Sequence, residues 1–136
     1  MGLAAYKKTI RESETPRQIE RRVLSRVTHD LQHHASAFDR SETKFDRLNL
    51  LADGLRDALF ENQRIWSALR DDLAEPGNAM PDALKASLIS IALWVDRQTD
   101  TLMTGHGQVA GLVEINGNII AGLAGQVAPE RELEEV

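Results

Sequence analysis

The chain has 136 residues, with 42% hydrophobic but only 4% aromatic side chains and a net charge of −5. It holds no cysteine, which excludes disulfides, thiolate metal sites and a cysteine nucleophile. No stretch approaches the ~20 apolar residues that span a bilayer, nor the apolar run of a signal peptide, so a soluble, cytoplasmic protein is expected.

A chain of this length suits one domain, which buries roughly two thirds of its unfolded surface. Leucine and alanine dominate over β-branched runs, which favours helix throughout. The expectation is an all-α fold: a small bundle of about four helices with a long second helix. Charge is unevenly spread, with seven Lys or Arg against four acids in residues 1–30 and nine against seventeen in the remainder. The acidic body repels phosphate backbones, so any nucleic-acid contact would fall to the first thirty residues, and none is expected.

Residues 1–14 are polar, lack periodicity and carry one aromatic, Tyr6; they read as a mobile arm. Thr15-Pro16 marks a helix start, with Thr15 as cap and Pro16 in the first turn. Ile19, Val23, Val27, Leu31 and then Ala35 or Phe38 form its apolar stripe. Arg17, Arg21, Arg22 and Arg26 lie off that stripe, as a solvated basic face or a docking face for an acidic partner.

The second helix begins between Ser41 and Lys44. Phe45, Leu48, Ala52, Leu55, Leu59, Asn62, Trp66, Leu69 and Leu73 alternate three- and four-residue steps, the spacing of a helix-packing seam. Unbroken, this helix would be about 45 Å long at 1.5 Å per residue, and Gly54 is the place where a kink is expected. Asn62, the polar member of the seam, either satisfies a buried partner or sits solvated at a bend.

Glu75-Pro76-Gly77-Asn78 stops the helix, because proline has no N–H and collides with the preceding turn. Pro81 then suits the first turn of a third helix, whose stripe is Leu84, Leu88, Ile91, Val95 and Leu102, with Ala92 and Trp94 beside it. Gly105-His106-Gly107 ends it. A last helix over 108–123 carries Val109, Leu112, Ile115, Ile119 and Leu123. Gly111, Gly117 and Gly122 cost it roughly 3 kcal/mol in propensity, so it needs close packing to persist. The end, PERELEEV, reads as a disordered acidic tail. The domain plan is thus an arm over 1–14, a helical domain over 15–124 and a tail over 125–136.

Candidate chemistry is sparse. His29 and His33 lie one helical turn apart and could share a metal, but no third ligand is evident, and surface histidines explain the pair. Ser25 and His29 lack an orienting carboxylate, and Asp71-Asp72 diverge around a helix. Neither a metal, a cofactor nor an enzymatic activity is expected.

The residues do resemble a known family, the flagellar biosynthesis regulator FlaF of alphaproteobacteria. The match lies in Asn62-Gln63-Arg64-Ile65-Trp66, Leu69, Asp72-Leu73, Pro76, Asn78, Pro81 and Leu84-Lys85-Ala86. It continues in Leu112, Glu114-Ile115-Asn116, Ile120 and Gly122-Leu123, and Thr15-Pro16-Arg17 with Ile19-Glu20 resembles the family's first helix. Departures are Ile65 and Met80, where leucine is common, and the glycine-rich Asn116-Gly117-Asn118. The resemblance implies a helical protein that promotes flagellin production and export, binds flagellin as a dedicated secretion chaperone, and acts opposite FlbT, a repressor of flagellin mRNA translation.

On that reading the seam and the glycine-weakened last helix form a hydrophobic groove for an amphipathic helix of flagellin. Trp66 is its anchor, Leu69, Leu73, Leu84 and Leu88 are its walls, and Asn62 and Asn116 meet the partner's polar groups; internal packing is the alternative for each. A second route to the same regulation is binding of FlbT through the acidic body. Closure of the seam by a second copy of the chain is a further possibility.

Overall fold

The computed structural model describes residues 16–127, with side chains over 21–122. The arm, the Thr15 cap and the PERELEEV tail lie outside the described residues. Helix α1 spans Pro16–Arg40, α2 Lys44–Leu50, a kinked segment Leu51–Leu55, α3 Arg56–Ala74, α4 Asp82–Met103 and α5 Ala110–Val127. Helices α2 and α3, joined by the kinked segment, are the long second helix of the sequence reading, so the fold is the expected all-α bundle.

Helix α1 turns Leu24, Val27, Thr28, Leu31 and Phe38 inward. Its buried face is wider than the narrow stripe read from the sequence, because Leu24 and Thr28 join it. The helix closes where Ser41 Oγ donates to the Ala37 carbonyl at 2.8 Å. Thr43 then starts α2, its Oγ1 accepting the Asp46 N–H at 3.2 Å, a standard use of threonine to satisfy an orphan donor.

The kink expected at Gly54 is present. Asp53 (φ −90°, ψ 25°) and Gly54 (φ 116°, ψ −20°) leave helical geometry, and the Arg56 N–H reaches back five residues to the Leu51 carbonyl. Helical geometry is broken at these two residues, so the helix before the kink and the helix after it keep separate registers. The seam read from the sequence therefore stops at the kink. Beyond the kink the seam faces inward: Leu55, Leu59, Asn62, Trp66 and Leu73 are buried, which decides Asn62 for the buried alternative. Before the kink, however, Leu51 points inward, whereas Phe45 is 72% exposed and Leu48 and Ala52 face solvent.

Helix α2 is tied down by Arg47. Its guanidinium donates to the carbonyls of Ser41 (3.3 Å), Gly105 (3.3 Å) and Gly107 (2.9 Å) and lies 4.6 Å from the Phe38 ring centroid. The planar fork suits several carbonyls and an aromatic face at once, which an ammonium does not.

Between α3 and α4, Glu75 adopts an extended conformation (φ −66°, ψ 136°), as a residue before proline must. The Asn78 amide donates to the Asp72 carbonyl at 3.3 Å and its Oδ1 accepts the Met80 N–H at 2.9 Å. Pro81 occupies the cap position rather than the first helical turn, its carbonyl accepting the Lys85 N–H at 3.0 Å. Across the hairpin Arg70 meets Asp96 at 2.9 Å and Gln63 donates to the same carboxylate at 3.4 Å.

The turn between α4 and α5 uses positive φ at Gly105 (86°) and Gly107 (81°), angles that glycine adopts without steric cost. Asp39, near the end of α1, accepts the Val109 and Ala110 N–H groups at 2.7 and 3.0 Å, capping α5 from another helix. Asp39→Ala is expected to lower stability by about 1 kcal/mol, with faster hydrogen exchange in the first turn of α5 as its local signature; unchanged exchange there would show the cap to be dispensable.

The main packing contacts run from α1 to α5, from α1 to α3 and from α3 to α4. One core results, built on Leu31, Phe38, Leu51, Leu55, Leu59, Trp66, Val95, Leu102, Val109 and Leu112. The remaining side of the square, α4 against α5, is sparsely closed.

Candidate functional site

A polar network crosses the centre of this apolar core. Trp66 Nε1 donates to Asn116 Oδ1 at 2.9 Å. Asn116 Nδ2 donates to Asn62 Oδ1 at 2.8 Å and to Thr28 Oγ1 at 3.0 Å, and Thr28 Oγ1 donates to the Leu24 carbonyl at 2.6 Å. All four side chains are buried. Helices α1, α3 and α5 are thereby joined through one asparagine.

The orientation of each amide follows from chemistry. The indole N–H can only donate, so Asn116 must present its oxygen to Trp66 and its nitrogen to the other two. Asn62 must then offer its oxygen to Asn116, which leaves Asn62 Nδ2 buried with no partner among the described residues. Such an orphan donor costs free energy, so Asn62 is the weak member of the network and Asn116 its centre.

The sparsely closed side of the bundle carries a shallow groove of about 280 Å³ lined by Ile91 and Trp94 of α4 and Gly111, Glu114, Ile115 and Asn118 of α5. Gly111 sets its narrow end: a Cβ there would lie 3.3 Å from the Trp94 ring, so the absence of a side chain lets the indole approach the helix. Gly117 and Gly122, by contrast, face open space. Toward the other end Leu88, Ile119 and Ile120 are half-buried and Leu84 is 36% exposed. Apolar side chains of both helices thus line the groove, and further partly exposed ones lie beyond it.

The sequence-predicted site residues divide between these two places. Asn62, Trp66, Leu73 and Asn116 are buried, Trp66 to 1%, and belong to the core rather than to an open wall; the indole is held by Asn116 instead of reaching outward. Leu69 is half-buried against the core. Leu84 and Leu88 retain exposed surface. Ile91, Trp94, Gly111 and Ile115 line the groove without having been read as site residues. The signal for them was the second apolar face of α4: Ala92, Val95, Thr99 and Leu102 are buried, which leaves Ile91 and Trp94 on its flank, while Leu84 and Leu88 continue the buried stripe toward the start of the helix.

His29 and His33 line a separate cleft beside the kink with Asp30, His34, Asp57 and Glu61. Arg26 of α1 pairs with Glu61 there. Among the described residues no group of three or more His, Asp or Glu side chains is placed to hold a metal ion.

The architecture defines a small all-α domain with a specified core and one incompletely closed, apolar side. The family model for the flagellar protein FlaF matches residues 3–123; the chain belongs to that family, which places it among flagellar proteins. No curated protein and no solved structure matches the chain. No helix among the described residues is long and apolar enough to cross a membrane.

Proposed function

We propose that this chain is a cytoplasmic flagellin-binding secretion chaperone and a positive regulator of flagellin synthesis and export, which holds an amphipathic terminal helix of flagellin in the groove between α4 and α5. The observation that carries this reading is the apolar groove lined by Ile91 and Trp94 of α4 and Ile115 of α5, left open by the sparse contact of α4 with α5; Leu84 and Leu88, earlier in α4, keep exposed surface with which to extend it. A helix-in-groove complex needs such an apolar surface, with anchors at successive turns. Trp94, whose ring borders the groove, takes the anchoring role that the sequence reading gave to Trp66. Asn62, Trp66 and Asn116 act beneath it by fixing α5 against α1 and α3, with Leu69 and Leu73 supporting α3. Leu84 and Leu88 remain walls.

Co-purification with the host's flagellin, with the mass of the complex determined by light scattering, tests this. The expected result is a one-to-one complex that is lost when the terminal helices of flagellin are removed. Leu88→Glu with Ile115→Glu should weaken it at least tenfold while the circular dichroism of the chain is unchanged, since two buried apolar contacts are worth more than the ~1.4 kcal/mol that tenfold requires. A homodimer of the chain that ignores flagellin would overturn the reading.

A second reading, regulation through FlbT, draws on the exposed acids Asp71, Asp72, Glu75 and Asp82 around the α3–α4 turn. An electrostatic contact of that kind weakens steeply with added salt, whereas an apolar groove does not. The same light-scattering measurement with FlbT at two salt concentrations separates them.

A further inference from the structure

We propose that the amino-terminal segment ahead of α1 docks in the α4–α5 groove of its own chain, with Leu3, Tyr6 and Ile10 against Leu88, Ile91 and Ile115, so that a partner helix must displace it. The inference deepens the groove reading above and rests on it.

Topology brings the segment to the groove's mouth. Asp39 at the end of α1 caps the start of α5, and Thr28 meets Asn116 further along, so α1 and α5 run antiparallel and the start of α1 lies at the far end of α5. Trp94 borders Gly111 at the near end, which places Leu84 and Leu88, one to three turns earlier in α4, at that same far end. Pro16 therefore opens α1 at the end of the bundle where the groove is least covered.

Reach is sufficient. In a square bundle with helices 8–10 Å apart, α1 and α4 lie diagonally at roughly 13 Å, whereas the six residues from Ile10 to Pro16 can span about 20 Å when extended. Spacing fits as well. Although residues 1–14 are too polar for a continuous stripe, Leu3, Tyr6 and Ile10 fall at three- and four-residue steps, one face of a short helix. That face would be about 10 Å long at 1.5 Å per residue, against about 15 Å for the α4 face from Leu84 to Trp94.

Charge selects this segment over the other terminus. Lys7, Lys8 and Arg11 would approach Glu114, which lines the groove, and Asp82, exposed at the start of α4. On the two groove helices the basic residue at that end is Lys85, which is already held by the Asn78 carbonyl at 2.7 Å; Arg21 and Arg22 belong to α1, diagonally across the bundle. The acidic PERELEEV tail would meet Glu114 and Asp82 with like charge. The family match also begins at residue 3 and stops at 123, so the amino-terminal segment belongs to the family pattern and the tail does not.

The chain holds no cysteine, so Thr9→Cys in the full-length protein carries a single nitroxide label and leaves Leu3, Tyr6, Ile10 and the basic residues in place. In the nuclear magnetic resonance spectrum the amide signals of Leu88, Ile91 and Ile115 should lose more than half their intensity, while those of Phe45 and Leu48, at the opposite end of the bundle, keep theirs. Adding Leu3→Glu and Ile10→Glu to the labelled chain should restore the lost signals. Uniform intensities would overturn the proposal. So would broadening seen only when labelled and isotope-enriched chains are mixed, since a second copy would then fill the groove. Flagellin, where it binds, should relieve the broadening, and the Leu3→Glu/Ile10→Glu chain should bind it several-fold more tightly. If flagellin does not bind and the broadening remains, docking of the segment stands and the chaperone reading falls.

Discussion

Asn116→Leu is expected to destabilise the protein by roughly 3 kcal/mol, and Asn62→Leu by less than about 1 kcal/mol, although the two residues are equally buried and share a hydrogen bond. Asn116 is the acceptor for the Trp66 indole at 2.9 Å and the donor to Asn62 and Thr28 at 2.8 and 3.0 Å. Its replacement strands an indole N–H and an amide oxygen in an apolar interior, each costing about 1–3 kcal/mol. Asn62 already leaves its Nδ2 without a partner. Removing it eliminates that orphan, while Asn116 keeps Trp66 and Thr28. Leucine has the same heavy-atom branching as asparagine and is somewhat bulkier, so neither variant leaves a cavity and the added bulk is common to both, which isolates the hydrogen bonding in the comparison. Urea denaturation of the two variants measures the difference. Equal losses would show that the network acts as a unit, with the amide orientations derived above carrying no energetic asymmetry.

If the asymmetry holds, the network gives specificity more than stability. A wholly apolar core would pack as well, but a helix with leucines and isoleucines on one face can slide by a turn against its neighbours, and a single polar centre penalises each wrong register. That matters most for α5, whose glycines weaken it as an isolated helix. The groove is usable only if α5 stays in one register while its outer flank is unsupported. Asn116 therefore connects the core to the proposed function without touching the groove.

The helices and their ends were legible because local chemistry decides them: Pro76 stops α3, Gly105 and Gly107 turn the chain, and three- and four-residue spacing marks Leu55 to Leu73. The burial of Asn62 was an open alternative, since a polar residue on an apolar seam announces a partner but not which one; Asn116 lies fifty-four positions away. Trp66 was read outward because large aromatics serve both cores and interfaces, and only its bond to Asn116 separates the two uses. The groove residues Ile91, Trp94 and Ile115 were hidden for a different reason. α4 is apolar on two adjoining faces, and spacing along one helix does not say which face its neighbours cover. Phe45, Leu48 and Ala52 were misplaced because a three-and-four count carried through Gly54 assumes one unbroken helix, whereas the kinked turn there resets the register.

That turn is the source of the second large effect. Gly54→Ala is expected to cost about 2 kcal/mol or more, whereas Gly77→Ala should change stability by less than about 0.5 kcal/mol. Gly54 has φ 116°, and a Cβ there would sit 3.3 Å from the His34 imidazole. A residue with a side chain rarely adopts that angle, so alanine must either tolerate the strain or straighten the helix. Straightening is no escape. It would swing α2 away from the α4–α5 turn, breaking the Arg47 bonds to Gly105 and Gly107 and uncovering Leu51 and Leu55, both fully buried. Gly77 has open space around it and serves as the control for losing a glycine as such. Because the Gly105–Gly107 turn also leads into α5, a relaxed kink should loosen the start of that helix, read as faster hydrogen exchange from Val109 to Val113 in the Gly54→Ala protein. A variant that melts like the parent would mean the kink is a consequence of packing that the chain can do without.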